Sequence, residues 1–277
     1  MPEKIHRFGP GRGLIGLTTE PAATRADDDK PAVIFLNAGL VHRIGPYRMH
    51  TVLARRLAER GFLAFRFDLS GLGDSHTRTD NRGYRERTLE EAAAAMDTLS
   101  QHHGARRFVV TGLCSGAMNA HGIAAADERV AGMILLDAYG YPTARFLLRR
   151  YASNALRSLH PRKLITHLRS LVQPDPARSG VEGIDYLDFP PRQEIAADLG
   201  KLAARGTRML FIYTGGVGGY YNYEGQFRDN FRSVDFGDCL QLDYLPAVDH
   251  TFTLLRDRHT LMDRIEGWLQ EQFPERR

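Results

Sequence analysis

The chain holds only two cysteines, Cys114 and Cys239, among 277 residues. They lie far apart and in no Cys-x-x-Cys or Cys/His spacing, which excludes a disulfide framework and a zinc-finger type of metal site. No apolar run approaches the roughly 20 residues that a membrane-spanning helix needs. Met1-Pro2-Glu3-Lys4 lacks the apolar core of a secretory signal. Neither charge sign dominates: 37 Lys and Arg face 33 Asp and Glu, and the net charge of +4 gives no reason to expect a nucleic-acid partner. Low-complexity stretches and internal repeats are missing too. With 43% hydrophobic and 25% charged residues, the composition is that of a globular chain with one sizeable core. The expectation is a cytoplasmic protein whose thiols stay free.

What is present is an alternation of short apolar runs with helical patterns, which predicts an α/β fold with a mostly parallel sheet flanked by helices. Ile5 to Phe8 and Leu14 to Thr18 read as an opening hairpin, and Thr19 to Lys30 as a polar connection. Strands are expected at Ala32 to Asn37, Leu63 to Phe67, Phe108 to Thr111, Met133 to Leu136, Met209 to Tyr213 and Leu240 to Tyr244. Helices are expected around Met49 to Leu57, at Leu89 to His102, Ala117 to Ala126 and Arg258 to Phe273. Between Asp137 and Met209 the alternation breaks into helical patterns without a convincing strand. A connection of that length is usually functional. Residues 1–140 and 206–277 are therefore read as one core, and 141–205 as a helical lid inserted into it.

The most informative segment is Gly112-Leu113-Cys114-Ser115-Gly116, placed between an apolar strand and a small-residue helix. It has the form of a nucleophile elbow, whose tight backbone needs small residues two places either side of the nucleophile. Cys114 stands at the apex, with Ser115 one step off it; a buried, inert cysteine is the alternative. A nucleophile there needs a base and an acid that orients the base. His250 follows the last strand, where a loop returns to the same sheet edge. The acid is Asp137, which closes an apolar strand where an unpartnered carboxylate would be costly, or else Glu224 beyond the loop Thr214 to Tyr220. Asp249 adjoins His250, and neighbours in an extended loop point apart. Backbone N–H groups of Ser115 and of Gly39 or Leu40 are the candidate oxyanion donors. Asn37, His42, Tyr139, Tyr220 and Tyr221 are candidate substrate or lid contacts, with hydrogen bonding inside their own loops or plain packing as alternatives.

A thiol is more acidic than an alcohol, so a histidine can draw its proton and leave a thiolate nucleophile. The covalent intermediate would then be a thioester, which amines and thiols attack readily relative to water. From Pro142 to Ser170 there is no Asp or Glu, while Arg145, Arg149, Arg150, Arg157, Arg162, Lys163 and Arg169 fall there. Leu148, Tyr151, Ala155 and Leu159 recur at helical spacing, giving an apolar face that could line an acyl pocket beside a basic face that attracts anions. A coenzyme A or phosphopantetheine arm, an acidic carrier protein or an anionic membrane surface would suit the basic face, and a solvated helix face is the alternative. Gly215 to Gly219 lacks the lysine and spacing of a phosphate loop and is expected to be a mobile loop near His250. No metal or organic cofactor is indicated.

Together these features resemble the α/β-hydrolase superfamily. The resemblance spans nearly the whole chain: the loop after Asn37, the turn Asp68-Leu69-Ser70-Gly71-Leu72-Gly73-Asp74-Ser75, the elbow, Asp137 and His250. Leu135 to Pro142 is similar to the thioesterase domains of polyketide and peptide synthases, in which the aspartate of a similar strand end orients the histidine. That resemblance favours Asp137. Asn37 to Arg48, with Gly112 to Ala117, is similar to small hydrolases encoded beside bacterial exosortase and exopolysaccharide systems. Cysteine in place of serine is shared with dienelactone hydrolases and polyhydroxyalkanoate synthases, which run different reactions. The resemblance implies an acyl-transfer enzyme or thioesterase working on an acyl thioester. An ester or lactone hydrolase acting on a free small molecule and a non-catalytic member of the fold are the other readings.

Overall fold

The computed structural model describes residues 2–21, 30–158 and 189–274. Strands β1 (Glu3–Phe8), β2 (Leu14–Thr19), β3 (Ala32–Phe35), β4 (Ala64–Phe67), β5 (Phe108–Leu113), β6 (Val130–Leu136), β7 (Arg208–Thr214) and β8 (Leu240–Leu245) form one sheet in the order β1-β2-β4-β3-β5-β6-β7-β8. β1 and β2 pair antiparallel, as do β2 and β4; every pair from β4 through β3 to β8 is parallel. The helices are α1 (Met49–Glu59), α2 (Tyr84–His103), α3 (Ser115–Ala126), α4 (Ala144–Ser158), α5 (Arg192–Ala204), α6 (Gln226–Asn230) and α7 (Leu255–Gln272).

The central strands are apolar along their length because both faces are covered. Successive side chains alternate between faces and so divide the core in two. Ile34, Phe65, Val110, Met133 and Phe211 pack with α2, α3 and α5, whereas Val33, Val109, Ile134, Leu210 and Ile212 pack with α1 and α7. One buried charge interrupts β4. Arg66 donates to Thr51 Oγ1 of α1 at 2.7 Å and to Glu3 of β1 at 3.3 Å, and so ties the hairpin to the sheet.

Most element boundaries agree with the sequence expectation. α2 starts at Tyr84, five residues before the expected Leu89, and α7 at Leu255, three before Arg258. The apolar residues that open them, Tyr84 and Leu255, are exposed, and the residues buried there, Thr88 and Asp257, are polar, so these turns carry no apolar periodicity to read. Within the expected lid, α5 buries Ile195, Leu199 and Leu202 in the core beside α3, which makes it part of the helix layer. α4 buries Phe146, while Leu148 (70% exposed) and Tyr151 (69%), expected to line a pocket, face outward. Ala155, Leu159 and the basic positions from Arg157 to Arg169 lie outside the described side chains, as does most of the polar connection Thr19 to Lys30. No helix among the described residues is long and apolar enough to cross a membrane.

Candidate active site

Cys114 links β5 directly to α3 with φ +57° and ψ −118°, a strained backbone for a residue with a side chain. The strain is held by packing. A Cβ on Gly112 would run into the backbone of Gly116, and one on Gly116 would lie 2.5 Å from the Asn37 carbonyl oxygen. The Cys114 N–H donates to the Leu136 carbonyl of β6 at 3.0 Å, while its own carbonyl accepts from Ala117 and Met118. The turn thus lifts the thiol out of the strand at the carboxyl edge of the sheet, half-buried rather than sealed in the core.

Asp137 ends β6, the next strand. It also has a positive φ, +47°, and its carboxylate is buried. One oxygen accepts the Thr214 N–H at 2.6 Å; the other accepts the Thr214 hydroxyl at 2.7 Å and the His250 Nδ1–H at 2.8 Å. These three donors are what make a buried carboxylate tolerable. The Glu224 side chain is exposed and takes no part in this contact. His250 is placed by the loop after β8, which the glycine-rich segment clasps. The Gly216 N–H donates to the Val248 carbonyl at 3.2 Å, and any Cβ on Gly216 would strike the His250 backbone. The glycine run therefore serves close approach to the histidine loop. Asp249 caps its own turn by accepting from Thr251 and Thr253.

The ring and the sulfur perturb each other. The Asp137 carboxylate first, and the Cys114 side chain next, raise the His250 pKa from its ordinary 6.5 to about 10. The hydrogen bond from His250 holds the Cys114 thiol below its ordinary range, with the Ser115 N–H helping and burial opposing. Opposite shifts of a thiol and an imidazole that act on each other favour a thiolate–imidazolium pair.

The loop after β3 meets the elbow from the other side. The Gly39 N–H, an expected oxyanion donor, donates to Ser115 Oγ at 2.8 Å. The Leu40 N–H makes no hydrogen bond within the described residues, and its side chain is 88% exposed. Asp68 is a residue whose importance the sequence reading missed, although the turn it opens was noticed. Fully buried, it accepts from the Arg43 N–H at 2.6 Å, the Asn37 amide at 3.0 Å, the Arg43 guanidinium and the Asp74 N–H at 3.3 Å. It ties the turn after β4 to the loop that would form the oxyanion hole.

Several expected substrate contacts have partners within the protein. Asn37 is buried, donates to Asp68 and the Val41 carbonyl, and accepts the Leu69 N–H. His42 accepts from Arg43 at 2.6 Å and stands 3.4 Å from Asp74. His42, Asp68 and Asp74 come close enough together to ligate a metal. The Arg43 guanidinium, however, already bonds both carboxylates and supplies the positive charge there. Tyr139 is fully buried, with its hydroxyl against His121. Tyr220 donates to the Asp137 carbonyl at 2.9 Å, and Tyr221 stacks on Tyr213 at 3.7 Å between ring centres.

A cysteine on a strand–turn–helix at the carboxyl edge of a parallel sheet, with a histidine in the loop after the last strand, fits the architecture of an α/β hydrolase. The chain belongs to that family: residues 31–182, more than half of it, match the alpha/beta hydrolase fold. Among solved structures it is similar to the α/β hydrolase GrgF from Penicillium sp. sh18, with a TM-score of 0.65 and 16% identity over 99% of this chain and 100% of that one. It is similar also to a hypothetical protein from Pseudomonas aeruginosa, at 0.62 and 18% over 98% and 94%. A third likeness is to an esterase from Pyrococcus furiosus, at 0.60 and 12% over 98% and 93%. At these identities the likeness carries the fold alone. No curated protein matches the chain in sequence.

Proposed function

We infer that the protein is an acyl-transfer enzyme that works through an acyl-Cys114 thioester, with a thioester or activated ester as donor. The observation that carries the reading is the 2.8 Å bond between His250 Nδ1 and the buried Asp137 carboxylate, which leaves Nε2 to take the thiol proton. The Cys114 thiolate adds to the donor carbonyl carbon, and the oxygen takes the negative charge against the Ser115 N–H and the Gly39 or Leu40 N–H. Gly39 becomes available once its bond to Ser115 Oγ is given up. The tetrahedral intermediate collapses and expels the donor thiolate or alkoxide, which receives the proton held at His250 Nε2. The acceptor, an amine, alcohol, thiol or water, then attacks the acyl-cysteine. His250 takes the acceptor's proton, and the Cys114 thiolate departs. Asp137 stays ionised throughout and stabilises the imidazolium.

Arg145, Arg149 and Arg150 on the exposed side of α4 favour an anionic donor, such as coenzyme A or a carrier protein bearing a phosphopantetheine arm. The test compares hydrolysis of butyryl-N-acetylcysteamine with its transfer to added amines and thiols. Product formation that partitions toward the acceptor and vanishes in Cys114→Ala is expected. Rapid turnover of simple esters with no gain from any acceptor would instead identify an ester or lactone hydrolase.

A further inference from the structure

Thr214 closes β7 and is fully buried. The Asp137 N–H donates to the Ile212 carbonyl at 2.8 Å, a bond between the ends of β6 and β7 that brings Thr214 against the Asp137 side chain. Two atoms of this one residue grip both carboxylate oxygens: the N–H donates to Oδ1 at 2.6 Å and the hydroxyl to Oδ2 at 2.7 Å. Oδ2 is also the atom that accepts the His250 Nδ1–H, at 2.8 Å. The torsion that turns a carboxylate about its Cβ–Cγ bond is broad and has little preference of its own. Without the hydroxyl, Oδ2 would be held by His250 alone, and acid and ring could swing together. Tyr220 does not prevent this, because it donates to the Asp137 carbonyl at 2.9 Å and so holds the main chain, not the carboxylate.

The hydroxyl is itself held. Its oxygen accepts the Gly216 N–H at 3.2 Å, and the same N–H reaches the Val248 carbonyl, also at 3.2 Å. Asp137 Oδ2 is the one acceptor of the hydroxyl among the described residues, so its proton points there. One oxygen thus joins the acid at the end of β6 to the glycine segment after β7, and that segment touches the backbone of the base, since a Cβ on Gly216 would lie 2.2 Å from the His250 nitrogen. The His250 side chain is 33% exposed and stands on a loop, so it depends for its direction on the carboxylate it bonds. Packing alone would be served by valine, another β-branched strand residue; the hydroxyl is what valine lacks. We propose that Thr214 is the positioning residue of the site: its hydroxyl holds the Asp137 carboxylate in the rotation that presents Oδ2 to His250 Nδ1, and so keeps Nε2 directed to the Cys114 proton. The proposal rests on the acyl-transfer reading for the roles of the row Asp137, His250 and Cys114.

The test compares Thr214→Ala with Thr214→Ser in the full chain. Both lack the methyl group, so the difference between them is the hydroxyl alone. The readouts are a histidine NMR titration, the pH profile of iodoacetamide alkylation resolved at the Cys114 peptide, and the kinetics of butyryl-N-acetylcysteamine turnover. Tyr213, Tyr220 and Tyr244, the ionisable side chains beside Asp137, are all pushed up by burial and stay neutral, so the profiles report His250 and Cys114. The His250 pKa should be lower in Thr214→Ala than in Thr214→Ser by about half a unit or more, with the alkylation midpoint of Cys114 higher. The kcat of Thr214→Ala should fall roughly tenfold or more with KM little changed, and Thr214→Ser should restore most of it. Coincident pH profiles in the two folded variants would overturn the proposal. So would a higher His250 pKa in Thr214→Ala, the sign expected if the hydroxyl merely spread the carboxylate charge. Should Thr214→Ala not fold, the wild type carries the test: the Thr214 hydroxyl proton should exchange slowly and show an NOE to His250 Hδ1, and a hydroxyl without that NOE would overturn the proposal. A missing acyl-Cys114 adduct in the wild type would sink the acyl-transfer reading instead, whatever the Thr214 profiles show.

Discussion

Replacing Asp137 with Asn changes one atom at the heart of the site and leaves its shape intact. The Asn oxygen can still accept the Thr214 N–H, now received at 2.6 Å, and the Thr214 hydroxyl can turn to accept from the new amide. The contact that cannot be kept is the third, the 2.8 Å bond from His250 Nδ1–H. An amide nitrogen there forces Nδ1 to become the acceptor, moves the ring proton to Nε2 and removes the lone pair that would receive the thiol proton. A hydrogen bond to a charged group is worth about 1.5–3 kcal/mol, and one pH unit corresponds to about 1.4 kcal/mol. The His250 pKa should therefore fall from about 10 by roughly one to two units. The thiol, held down chiefly by that ring, should titrate higher. Acyl transfer should drop about a thousandfold or more, as expected for a wrong tautomer. The assays are a histidine NMR titration and the pH profile of Cys114 alkylation by iodoacetamide. Wild-type midpoints in a folded Asp137→Asn protein would refute the reasoning.

Other perturbations test the frame around the row. Gly116→Ala sets a methyl carbon 2.5 Å from the Asn37 carbonyl oxygen and should cost about 1–3 kcal/mol in urea unfolding. Asp68→Asn removes the charge that the Arg43 guanidinium faces; it should cost about 1–3 kcal/mol and slow acylation through the loosened Gly39 loop, with Cys114 alkylation much less affected. The pH dependence of stability has a definite sign. Because its pKa is raised from 6.5, His250 stabilises the fold most below pH 6.5, and that contribution fades as pH climbs toward the folded value. In a Cys114→Ala background, which removes the thiol's own titration, the gap in urea midpoint between the His250 protein and its Gln variant should narrow steadily above pH 6.5. A gap that widens would contradict the assignment.

The parallel sheet was legible because its central strands are buried on both faces and show as unbroken apolar runs. The elbow was legible because close backbone contact leaves only glycine possible at 112 and 116. Asp137 stood out for the same physical reason: a carboxylate at the end of an apolar strand must have donors, and Thr214 and His250 supply them. Other features depend on contacts between segments distant in sequence. Asp68 is one acid in a polar turn until the fold brings Arg43 and Asn37 to it. The tyrosines beyond β7 look alike in sequence, yet packing turns Tyr220 to the Asp137 carbonyl and Tyr221 onto Tyr213. The helical period of α5 could not say whether its apolar face meets a lid or the core. Its contacts with α3 place it in the core.

The central claim is that Cys114 carries the acyl group. Mass spectrometry of protein quenched in acid within the first turnover of butyryl-N-acetylcysteamine tests it directly. The account predicts a butyryl adduct on the peptide that contains Cys114, lost on hydroxylamine treatment and absent in Cys114→Ala. An adduct on Ser115, or full turnover by Cys114→Ala with no adduct at any residue, would contradict it.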